Sequence, residues 1–151
     1  MKTQLKMSII AAVAVLAVTG PARADDSTWE PSRECSAHTL RGLYVFSATG
    51  FNVVAGVAVP KAITLTLRFN GDGTMTVPSA TIVVNGNVIS FPPNFAGAYS
   101  VETGCTGRLQ FGPNVFNLVV APFGYEVVMN QTGNMAPALG VLQGAARRLS
   151  R

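Results

Sequence analysis

The sequence predicts an all-β fold, a single antiparallel up-and-down barrel of about eight strands, with a β-sandwich as the alternative architecture. Three observations carry this. The dominant apolar period is two, clearest in Ile63-Thr64-Leu65-Thr66-Leu67-Arg68-Phe69, where Ile63, Leu65, Leu67 and Phe69 share one face and Thr64, Thr66 and Arg68 the other. Turn residues punctuate the chain at short, regular intervals. No segment carries an apolar stripe of helical period.

The first 24 residues read as an export leader. Lys2 and Lys6 are followed by an uncharged apolar run from Met7 to Val18, then by Ala22-Arg23-Ala24, a small-x-small cleavage site. The run is too short to span a bilayer as a helix. The expectation is a cleaved signal peptide, a mature domain over residues 25–151 and a periplasmic or secreted location; an uncleaved membrane anchor is the alternative. Lys2, Lys6 and Arg23 leave with the leader, so the mature chain has eight basic and seven acidic residues, a net of +1. That balance gives no basic footprint for nucleic acid. Arg147, Arg148 and Arg151 read as a solvated tail.

From Asp25 to Glu34 the chain is a polar arm with Pro31 in it, and Trp29 is expected to cover a barrel end or pack on the wall. Cys35 and Cys105 are the two cysteines, and neither has a CxxC partner. In an exported chain they read as one disulfide closing a long loop, with a free thiol as the alternative. His38 reads as a surface residue at the start of the first strand.

Leu43–Thr49 and Phe116–Ala121 are apolar on both faces and read as strands covered on both sides. Asn70-Gly71-Asp72-Gly73 follows the Ile63 strand as a turn; it lacks the later ligands of a calcium loop. Asn85-Gly86 between Thr81–Val84 and Val88–Phe91 is a hairpin signal. Further strands lie at Tyr99–Glu102, Leu109–Phe111 and Tyr125–Asn130, and Pro137, Gly140 and Gly144 make Ala136–Ala146 a last strand rather than a helix. An outer-membrane barrel is disfavoured, because eight membrane strands of about ten residues would leave too little chain for these breaks, and Leu149-Ser150-Arg151 is not an aromatic ending.

No set of residues assembles as a catalytic site. The carboxylates are scattered, the one histidine is isolated, and no phosphate loop, metal-ligand cluster or cofactor motif is present. The chemistry that stands out is apolar. Phe51 to Pro60 is nearly uncharged, and Phe95, Phe123 and Met135 lie at or near other breaks. Such residues can line a barrel mouth or an oligomer contact; alternatively Phe51–Pro60 is another buried strand of the wall. Tyr44, Tyr99, Tyr125 and Gln131 fall on the inward phase. They could orient a ligand or satisfy one another in a filled core.

Cys35-Ser36, Leu40 to Ser47, Phe69 to Thr74, Gly97 to Val101, Cys105-Thr106-Gly107, Gln131-Thr132 and Gly144 to Arg148 follow one another in an order that resembles a group of small exported bacterial proteins without assigned function. That group resembles the calycin or allene-oxide-cyclase-like barrels in strand number and meander order. The resemblance implies the barrel and transfers no catalytic residues. The first functional expectation is a non-enzymatic barrel that binds a small apolar molecule, with Tyr44, Tyr99, Tyr125, Gln131, Phe51 and Phe123 as candidate ligand residues. The second is a solid barrel whose apolar loops meet a partner. The third is a cyclase- or isomerase-like enzyme. Oligomeric state is left open.

Overall fold

The computed structural model describes residues 34–133 and 139–151. The leader, the arm with Trp29, and Met135 lie outside them. Nine strands follow a single-turn 3-10 helix at Ala37–Thr39: β1 (Arg41–Val54), β2 (Val57–Asn70), β3 (Thr74–Val84), β4 (Asn87–Ser90), β5 (Phe95–Val101), β6 (Thr106–Phe111), β7 (Asn114–Val120), β8 (Glu126–Gly133) and β9 (Leu139–Ser150). All pair antiparallel. Eight close into a barrel in the order β1-β2-β3-β5-β6-β7-β8-β9 and back to β1, and β4 is an additional strand on the edge of β3. The meander barrel expected from the alternation is therefore the fold, with the ninth strand beyond the expected count.

The period-two pattern becomes an inside and an outside. Ile63, Leu65, Leu67 and Phe69 of β2 are buried, and Thr64 and Arg68 are exposed. Opposite them β1 buries Tyr44, Phe46 and Ala48. Met75, Val77, Tyr99, Leu109, Phe116, Leu118, Val120, Val127, Met129, Leu142 and Ala146 complete one continuous core. These side chains line the interior. Phe69 meets Tyr44 and Tyr99 edge-on at centroid distances of 5.1 and 4.9 Å, and Phe46 meets Phe116 at 6.1 Å. Aromatic pairs in this geometry add to the energy of area burial. An apolar interior behind the polar outer faces of β2 and β3 is the reverse of a lipid-facing barrel with an aqueous lumen. No helix among the described residues is long and apolar enough to cross a membrane.

The Asn85-Gly86 hairpin forms as expected, with φ of 50° and 79° at its two central residues. Positive φ at both positions is a type I′ turn, whose twist matches that of the strands it joins. The Phe51–Pro60 run is a hairpin as well. It is not a buried strand of the wall: β1 and β2 continue through it as an exposed extension to a turn at Ala55-Gly56 with φ of 49° and 79°. Pro60 is tolerated inside β2 because it faces the β3–β4 turn, where its carbonyl accepts the Asn85 N–H at 3.0 Å. Pro78 sits at a bulge. Thr66 pairs with Ser79 and Arg68 with Thr76, so Val77 and Pro78 together stand opposite Leu67. Before the bulge β3 pairs with β5, and after it with β4.

Candidate functional site

The two ends of the barrel differ in chemistry. One end is stitched shut. The Cys35–Cys105 disulfide, with a Cα–Cα distance of 4.9 Å, ties the segment before the 3-10 turn to the β5–β6 connection. The Cys35 N–H donates to the Thr103 carbonyl at 3.3 Å, and the Cys105 carbonyl accepts from the Val120 N–H at 2.8 Å. Leu40, fully buried, plugs the barrel from this side.

Two of the candidate ligand residues belong to this seal. The Tyr44 hydroxyl donates to the Gly124 carbonyl at 2.5 Å and accepts from Arg148 Nε at 2.9 Å. The Tyr99 hydroxyl accepts from the Gly71 N–H at 3.0 Å, and its proton is directed at the Ala37 and Leu40 carbonyls, both at 2.9 Å. Burial raises the pKa of both phenols above the usual tyrosine range. Their hydroxyls are thus occupied by the backbone that closes the barrel. Arg148 completes the seal with Nη2 donating to the Thr39 carbonyl at 3.1 Å and to the Phe123 carbonyl at 2.8 Å. It is half-buried, so the C-terminal arginines are not a uniformly solvated tail. Arg147 pairs on the surface with Glu126, Nε to Oε2 at 2.8 Å.

Tyr125 corrects the expectation of an inward phase. It is 58% exposed, because Pro122–Gly124 form a 3-10 turn with Phe123 at φ 61° and β8 starts only at Glu126, so that Val127 takes the inward place opposite Val120. Phe123 is exposed on that turn, at the sealed end. Gln131 is buried, as its phase requires, and donates through Nε2 to Asn114 Oδ1 at 3.0 Å near the opposite end. Phe51 lies at that opposite end on the outer face, 50% exposed. The six candidate residues do not converge on one site.

The structure brings a different group together. At the end away from the disulfide, β1, β2 and β3 run on past the core, and β4 widens the sheet. The registers place outward residues side by side across five strands: Val141 of β9 beside Phe51 of β1, Phe51 beside Pro60 of β2, and Ala62 of β2 beside Val83 of β3, itself beside Val88 of β4. Val141 and Val88 are more than half exposed. The result is an apolar stripe over the flared end. A shallow open groove of about 470 Å³ follows it, bordered by Thr49, Phe51, Pro60, Lys61, Ala62 and Val83, with Gly50 and Gly86. This volume is in the range of small-molecule sites.

Lys61 is the one charged residue between Arg41 and Arg68, and residues 73–101 carry none. Its ammonium is half-buried and makes no hydrogen bond or ion pair among the described residues. Burial lowers its pKa below the usual lysine value. Sequence reasoning found Phe51 and the apolar run but passed over Lys61, Val83 and Val141. The isolation of Lys61 in a long uncharged stretch was the available signal, whereas the cross-strand neighbours exist only through register. No protein family, no curated protein and no solved structure matches the chain.

Proposed function

We propose that this is a non-enzymatic binding barrel, acting outside the cytoplasm, that takes a small apolar molecule in the groove of its flared end. The observation that carries the reading is the apolar stripe from Val141 through Phe51, Pro60 and Val83 to Val88, left on the outer face of the sheet. Exposed apolar surface of this extent costs solubility and marks a contact site. The apolar aromatic core and the hydrogen-bonded end favour the outside of the barrel over its lumen.

The test uses Nile red, a neutral apolar fluorophore, with the mature protein. Its emission is expected to rise and shift to the blue on binding, and Phe51→Asp or Val83→Asp is expected to weaken binding at least tenfold. Phe123→Asp, at the sealed end, is expected to leave binding unchanged. Equal losses in all three variants, or no binding by the parent protein, would refute the site.

A further inference from the structure

We infer that the free edge of β4 pairs with β4 of a second copy, giving a two-fold dimer whose sheet runs continuously from one barrel to the other. Among the described residues β4 ends the sheet order and has β3 as its one neighbour, so no described strand pairs with its other edge. The type I′ turn at Asn85-Gly86 makes Val84 and Asn87 the hydrogen-bonded pair beside the turn. Alternation along an antiparallel ladder then turns the N–H and C=O groups of Asn87 and Ile89 toward β3 and those of Val88 and Ser90 outward. An outward row of this kind accepts one partner, an extended strand.

The identity of that strand follows from symmetry and charge. Two copies of β4 laid antiparallel with Ile89 opposite Ile89 of the second copy place Val88 opposite Ser90 of the second copy, and Ser90 opposite its Val88. Each of those two pairs exchanges both hydrogen bonds, four in all, and every outward group of the edge is used. The contact is isologous and closes on itself. Residues 73–101 contain no charged side chain, so no like charges meet across the two-fold axis, and a charged partner would find no complement there. The protections common on natural edge strands are missing from β4: it has no lysine, no inward charge and no bulge, and proline arrives only at Pro92. Val88, Ile89 and Phe91 are exposed around the edge. Four residues a side is well below a standard interface, so the dimer is weak.

Sedimentation velocity of the mature protein from about 10 µM to about 1 mM reads the association. A monomer–dimer equilibrium is expected in the parent protein. Ser90→Pro removes an outward N–H that β3 does not use, and Val88→Lys places like charges near the axis. Each is expected to weaken dimerisation at least tenfold with an unchanged thermal melt. The described residues contain no free cysteine, so Ile89→Cys introduces a unique reactive position there. Its sulfurs would meet across a non-hydrogen-bonded pair and are expected to form an intermolecular disulfide on mild oxidation. A protein monomeric at about 1 mM, a dimer that survives both Ser90→Pro and Val88→Lys, or an Ile89→Cys dimer that does not cross-link would overturn the inference. Should Ser90→Pro unfold, Val88→Lys and the cross-link decide. Nile red binding by Phe51→Asp and by Ser90→Pro separates this inference from the ligand reading, because the first variant is expected to dimerise without binding dye and the second, outside the stripe, to bind dye without dimerising.

Discussion

Removing one oxygen at the sealed end tests how that end is held. In Tyr44→Phe the ring stays against Phe69, but the Gly124 carbonyl loses its donor and Arg148 Nε loses its acceptor. A buried polar group left without a partner costs about 1–3 kcal/mol, more when charged. Two such groups amount to about 3–4 kcal/mol. Two effects reduce this. The phenylalanine no longer desolvates a hydroxyl, worth about 1 kcal/mol, and Arg148 keeps its bonds to Thr39 and Phe123. The net expectation is a loss of about 2 kcal/mol. For a domain of this size that lowers Tm by roughly 8 °C. Urea unfolding followed by circular dichroism measures it, with an unchanged m-value as the sign that only stability moved. Arg148→Met and the double variant complete a cycle, and a coupling energy of about 1–2 kcal/mol is expected. A loss below about 0.5 kcal/mol together with a coupling near zero would mean that the hydrogen bonds of Tyr44 do not hold the end, and that Leu40 and the disulfide suffice.

Four further outcomes follow from the same geometry. Tyr44 and Tyr99 have pKa values raised by burial, so their contribution to stability is complete below the unfolded tyrosine value of about 10 and is lost as pH rises through the higher folded values; alkaline unfolding curves should steepen above about pH 10 and flatten in Tyr44→Phe and Tyr99→Phe. Replacing Cys35 and Cys105 by serine reopens a loop with a sequence separation of 70, and the loop-entropy relation gives a loss of about 4 kcal/mol by urea titration. Ala55, held at φ 49°, is strained by about 1 kcal/mol relative to residues suited to that region; Ala55→Asn should raise Tm by a few degrees in a thermal melt. Lys61, whose pKa is lowered by burial, carries its desolvation penalty below that lowered value and sheds it as pH rises through it; at neutral pH Lys61→Met should be neutral or up to about 0.5 kcal/mol more stable, and a loss above about 1 kcal/mol would contradict an unpaired ammonium.

The elements built on local chemistry were legible before the structure. Strict alternation from Ile63 to Phe69 gave the inward face of β2, and Asn85-Gly86 gave its hairpin, because side-chain phase and positive-φ preference are properties of a few adjacent residues. What failed to show was of two kinds. The Ala55-Gly56 turn lacks the Asn or Asp that advertises a type I′ turn, so β1 and β2 read as shorter than they are. Tyr125 follows the phase of its neighbours in sequence but not in space, because Phe123 takes a left-handed conformation and resets the strand start. The candidate site belongs to neither segment alone. Val141, Phe51, Pro60 and Val83 become a surface through three registers, and register is a relation between distant strands that alternation by itself leaves open.

Barrel closure joins the first strand to the last. Leu43 of β1 lies opposite Ser150 of β9, and the ladder continues inward to Val53 and Leu139. During synthesis the hairpins from β1 to β8 can form one after another, each from local contacts, yet β1 keeps an open edge until β9 has been made. Until then the aromatic core of β1 is walled on one side only. A chain in which β9 has not yet paired exposes that edge to misassociation, and deletion of β9 should convert a closed barrel into an open, sticky sheet rather than into a slightly smaller barrel.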